Sequence, residues 1–125
     1  MSALNENAIT LLGSATVDLQ NGDSKSTVYT VPTGKTAVIT HVIIRSPSGS
    51  LAGGTDFDIG SGANADTWKQ TNDLSSMTAT TDYMVINSPN TKYTLEAAAA
   101  AFGIKPITGA TADVTATMDV FGYLF

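Results

Sequence analysis

The run Thr36 to Arg45 (TAVITHVIIR), entered through Pro32-Thr33-Gly34-Lys35 and preceded by Ser26 to Val31 (STVYTV), constrains the fold more than any other stretch. Side chains branched at Cβ are stiff at χ1 and pack well on a pleated surface, and a Pro followed closely by a Gly marks a tight turn. The segment therefore reads as strand, hairpin turn, strand. Side chains alternate along an extended chain, so Val38, Thr40, Val42 and Ile44 are expected on one face and Ile39, His41, Ile43 and Arg45 on the other. Both faces are apolar near the middle, the pattern of a central strand covered on both sides.

Similar segments recur along the chain. Ala8 to Leu19 opens the series, with Gly13 marking a bend or bulge. Thr55 to Gly60 places Phe57 and Ile59 on one face and Asp56 and Asp58 on the other. Asp82 to Ile86, a Ser88-Pro89-Asn90 turn, Thr91 to Leu95, Ala101 to Ile107 and Val114 to Phe125 complete the series. Between Ser61 and Thr81 the signal is mixed, and Asp73 to Met77 can start a short helix with Asp73 as its cap. The tract Ala97 to Ala101 is too short to stand as a helix and reads as one turn, or as small residues under a close neighbour. About eight short strands, each bounded by Gly, Pro, Asn or Ser, indicate an all-β antiparallel sandwich or small barrel.

At 125 residues the chain is read as one domain, 1–125, with 1–12 as an amino-terminal arm or first strand. Only 14% of residues are charged, well below the roughly 25% of an average soluble domain, and Thr, Ser, Gly and Ala fill the gap. A surface of that kind suits burial against partners. The formal charge of −5, with the basic residues scattered singly, argues against nucleic acid as a partner. Met1 to Asn7 lacks the pattern of a secretory signal, and no apolar run reaches the ~18 residues that span a bilayer, so no membrane partner is expected.

Chemistry is sparse. The single histidine, His41, lies in the most apolar strand and reads as a packed, hydrogen-bonded side chain; without cysteine it cannot build the usual transition-metal site. Asp56 and Asp58, followed by Gly60 to Asp66, are the nearest approach to a calcium loop, but the closing glutamate of the EF-hand pattern is missing. The plainer reading makes the two carboxylates the solvent face of an alternating strand. Gly34-Lys35-Thr36 lacks the upstream glycine of a phosphate loop. Trp68, Tyr83, Tyr93 and Tyr123 could together stack against sugars, although aromatic residues of this kind more commonly serve as core or interface anchors.

The blocks Tyr29 to Arg45, Leu51 to Gly60, Trp68 and Asp73 to Tyr83 resemble a group of short proteins encoded in tailed-phage genomes and prophages. These are small β-sandwich virion components, among them jelly-roll capsid decoration, or cement, proteins, and the likeness covers roughly residues 26–86. The resemblance implies a jelly-roll-like fold, no cofactor and no catalytic residue. It further implies a homotrimer that is made in the host cytoplasm, binds the major capsid protein on the outer capsid surface and stabilises the shell. A tail-fibre or receptor-binding, carbohydrate-binding module of the same fold is the alternative. A three-fold ring sets one face of a protomer against a different face of its neighbour. The expected contact residues are Leu4 and Phe125 first, then Ile9, Leu12, Tyr123 and Trp68, while Ile9 to Leu12 and Phe121 to Leu124 read equally well as ordinary core strands.

Overall fold

A computed structural model describes residues 8–89 and 95–125. Among them it contains eight strands and no helix: β1 (Thr10–Asp18), β2 (Ser26–Thr30), β3 (Ala37–Arg45), β4 (Asp56–Gly60), β5 (Lys69–Asn72), β6 (Tyr83–Asn87), β7 (Ala101–Thr108) and β8 (Thr115–Leu124). They form two four-stranded sheets, ordered β1-β8-β3-β6 and β2-β7-β4-β5, with every strand pairing antiparallel.

The pairings show how the chain is wound. β1 pairs with β8, β2 with β7, β3 with β6 and β4 with β5, so the second half of the chain runs back along the first as one long antiparallel ribbon. Two further pairings, β3 with β8 and β4 with β7, roll that ribbon into two packed sheets. This is the jelly-roll order. The expected all-β antiparallel sandwich is therefore the observed one, and residues from Thr10 onward belong to its first strand rather than to an arm.

Phe57, Ile59, Phe102 and Ile104 from one sheet meet Val17, Val42, Ile44, Met118 and Val120 from the other, all fully buried. Leu19, Leu51, Trp68, Leu74, Met77 and Val114, from the connecting segments, close the ends of this core. Trp68 is the anchor at one end. Its indole N–H donates to the Ile39 carbonyl at 3.1 Å, and its ring meets Phe102 edge to face at 5.7 Å.

Three sequence expectations are corrected. The Pro32 turn closes with Lys35 N–H donating to Pro32 O at 3.2 Å, but it is no hairpin, because β2 and β3 lie in different sheets and the turn carries the chain between layers. Strict alternation along β3 also fails. The pairing with β8 passes from Ile39 opposite Gly122 to His41 opposite Phe121, leaving Thr40 as the extra residue of a bulge. Ala37 and Ile39 point inward before it, Val42 and Ile44 after it, and Val38, His41, Ile43 and Arg45 are left on the outer face. Finally, β3 is covered by the other sheet on its inner face only, and its outer residues remain partly exposed.

Elsewhere, Asp73 caps a turn and not a helix: Ser75 donates to its Oδ1 through N–H at 2.9 Å and through Oγ at 2.6 Å. The alanine tract is a turn with Ala99 at φ 68°, stitched to Val31 by two backbone hydrogen bonds. Gly13 sits at the bulge expected in β1, and β2 carries another at Val28. The turn and strand expected over Ser88 to Leu95 fall largely on 90–94, outside the described residues.

Gly103 and Gly122 let strands approach where a side chain would collide. A Cβ at Gly103 would run into the Ser26 carbonyl, and one at Gly122 into the Val38 carbonyl beside the β3 bulge. Gly103→Ala and Gly122→Ala are each expected to cost about 2–3 kcal/mol in urea unfolding, the upper range for overpacking. Gly49→Ala, whose methyl would meet Val114 at an ordinary 3.7 Å, should stay within about 0.5 kcal/mol of the parent.

Candidate functional site

The two outer sheet faces differ in chemistry. An antiparallel sheet with one face on a core normally shows polar side chains on the other. The β2-β7-β4-β5 sheet largely follows that rule, with Asp56, Asp58, Lys105 and Thr27 outward and Ile107 as its exposed apolar residue. The β1-β8-β3-β6 sheet does not.

Its outward residues can be followed across the strands by register. Leu11, Phe121, His41 and Asn87 form one row; Ser14, Asp119, Ile43 and Val85 the next; Thr16, Thr117, Arg45 and Tyr83 the third. On the far side of the first row Tyr123 pairs with Val38, Phe125 exchanges both backbone hydrogen bonds with Thr36, and Ile9 precedes β1. Large apolar side chains here are open to solvent: Ile9 57%, Leu11 51%, Val85 45%, Tyr83 70% and Phe125 58%. Phe121 and His41 stack nearly parallel, with centroids 4.6 Å apart.

One ion pair, Asp119 with Arg45, stands amid this surface. Asp119, 7% exposed, accepts from Arg45 Nε at 2.7 Å and from Ser14 Oγ at 2.6 Å, which joins β1, β8 and β3 across the face. The Arg45 guanidinium holds its carboxyl below the usual range against the opposing effect of burial, and Ser14 helps. Asp18 lies at the far, polar end of the same face.

His41 Nδ1 is not placed to take a proton from the Thr40 hydroxyl beside it. Thr40 Oγ1 donates to the Phe121 carbonyl at 3.2 Å, so its 3.1 Å contact with His41 Nδ1 requires the imidazole to be the donor. A general base for that hydroxyl would need the reverse. A hollow of about 220 Å³ opens beside this bulge, lined by Val38, Ile39, Thr40, Ser88 and Tyr123. That is below the roughly 300 Å³ at which small-molecule sites begin.

The expected site residues separate. Ile9, Tyr123 and Phe125 come together on the apolar face, whereas Leu12 is half-buried and packs against the core. Trp68 is corrected outright: 5% exposed, with its N–H bonded inside, it offers no surface to a partner or a sugar. Leu4 and Tyr93 lie outside the described residues. Sequence reasoning missed the Ser14–Asp119–Arg45 connection and Glu96. The Glu96 carboxylate is 2% exposed and accepts from Ser61 Oγ at 2.7 Å and Thr67 Oγ1 at 2.8 Å, tying the β4–β5 loop beneath it. Nothing local in the sequence marks these partners.

Asp56 and Asp58 do share the outer face of β4. Asp58 Oδ1 accepts from Thr71 N–H at 3.1 Å, while Asp56 Oδ1 is buried with no hydrogen-bond partner among the described residues. Burial, and then the neighbouring Asp58, push the Asp56 carboxyl above its usual range. Among the described residues no group of three or more His, Cys, Asp or Glu gathers there to hold a metal.

The two carboxylates give opposite pH signatures. Asp119 ionises more readily folded than unfolded, so its contribution is complete above the unfolded value and is lost as pH falls through the folded one. Asp119→Asn should lower stability by roughly 1 kcal/mol at neutral pH and flatten the acid limb of the stability curve. Asp56 ionises less readily folded, so it destabilises above its folded value and that penalty fades as pH falls. Asp56→Asn should therefore raise the thermal midpoint at neutral pH; a lowered midpoint in calcium buffer would instead reveal a cation held by the pair.

No protein-family model, no curated protein and no solved structure matches this chain.

Proposed function

We propose that this protein is a structural component of a tailed-phage particle, a decoration protein that binds the outer capsid surface as a trimer and stabilises the shell. The observation that carries the reading is the open apolar face of the β1-β8-β3-β6 sheet, a surface that calls for protein to cover it. Two features support it. The jelly-roll order agrees with the fold that the sequence resemblance implies, and the close-packed core with strands tied by glycine contacts suits a part whose task is mechanical. A shell protein needs complementary surfaces held rigidly, and antiparallel strands on a shared core provide them.

The receptor-binding alternative loses its central aromatic, because Trp68 is in the core. Tyr83 and Tyr123 remain on the outer face.

The test is reconstitution. Purified protein is expected to co-sediment with capsids of the encoding phage or prophage from which the chain has been removed, and to raise their resistance to heat. Electron cryo-microscopy of the particle should show its density on the shell. Density confined to the tail, or absence of the chain from the particle, would overturn the decoration reading.

A further inference from the structure

We infer that the outer face of the β1-β8-β3-β6 sheet is a self-association surface, covered by other copies of this chain. The inference rests on the oligomeric part of the proposed function and not on its capsid part.

The β3 run is apolar on both faces, as in strands buried on both sides, yet the described residues cover only one. Val38, His41 and Ile43 are the residues left over. They do not stand alone, for Ile9, Leu11, Phe121, Tyr123 and Phe125 extend the surface toward β1, and Val85 and Tyr83 toward β6.

Size fits. Three strands some 30 Å long and a fourth, β6, of about 17 Å, spaced about 4.8 Å apart, make a face of roughly 500 Å² in projection. A stable interface takes about 800 Å² of accessible surface from each partner, which a corrugated face of that extent approaches.

Charge identifies the occupant. With eleven acids against six basic residues, two copies repel wherever unpaired carboxylates face each other. Asp56, Asp58 and Asp73 lie away from this face. Within its apolar area the carboxylate present is Asp119, and its charge is already answered by Arg45 of the same protomer. Among the described residues of that area a basic partner would find no free acid, and an acidic one no free guanidinium. A second copy brings the same apolar area, whose one described carboxylate is already paired, and the acid of the polar end, Asp18, lies outside that area. The face also has unlike edges, Ile9 and Leu11 on one side and Tyr83 and Val85 on the other, so one edge can meet the neighbour's other edge and close a ring.

Sedimentation of the full chain tests this. The parent is expected to be oligomeric, and Val85→Asp and Leu11→Asp, at exposed positions, should each weaken self-association by at least about 100-fold, as an unpaired charge buried in an apolar contact does. Thr27→Asp on the opposite sheet should leave it unchanged. Because the chain has no cysteine, Val85→Cys and Thr27→Cys give single thiols whose reactivity reads the contact without a disruptive charge. The thiol at position 85 should be protected in concentrated solution and freed on dilution, and that at 27 reactive throughout. A monomeric parent, an oligomer that survives both Asp variants, or equal reactivity at the two thiols would overturn the assignment. Capsid binding by a monomeric parent would sink this inference while sparing the decoration function.

Discussion

The extra residue at Thr40 decides which side chains of the most apolar strand meet the core. Without it, Ala37 and Ile39 could not point inward on the same strand as Val42 and Ile44, because a period of two would send one pair outward. The bulge is held on several sides. Trp68 N–H takes the Ile39 carbonyl, Ser88 N–H takes the Thr40 carbonyl at 3.0 Å, and Thr40 Oγ1 reaches Phe121 O. Gly122 removes the side chain that would otherwise press on Val38. The same shift in parity leaves Val38, His41 and Ile43 outside, so the packing of the core and the apolar character of the outer face share one cause.

Much of this was legible in the sequence. The β-branched runs and the Gly and Pro punctuation mark seven of the strands, and the alternation Asp56-Phe57-Asp58-Ile59 gives the two faces of β4 correctly. β5 was not legible: Lys69-Gln70-Thr71-Asn72 is polar throughout, and its extended form comes from pairing with β4 and from Asn72 Nδ2 donating to Phe57 O at 2.9 Å. The Pro32 turn could be read as a turn but not as a crossing between layers. That outcome depends on β7 and β8, which arrive from the far end of the chain to separate β2 from β3.

The site was less legible, for the same physical reason. Ile9, Tyr123 and Phe125 were recognisable as apolar ends, but nothing local says that they share a face with Ile43 and Val85, since only register in the rolled sheet brings them together. Trp68 reads as a core or an interface anchor, and what settles it in the core is distant in sequence: Phe102 against its ring and the Ile39 carbonyl, beside the β3 bulge, accepting from its N–H. Asp119, Arg45 and Ser14 meet across separations of 74 and 105 residues.

The way the sheets end bears on how far any assembly can grow. β1 and β2, each at the edge of its sheet, carry bulges, and β5 at another edge is four residues long, with Thr71 at φ 58° breaking its regular outline. Such margins template poorly for the strand of another molecule. Molecules packed through their flat sides would thus find three of their four sheet margins ill-suited to the strand-to-strand addition that builds a cross-β fibril.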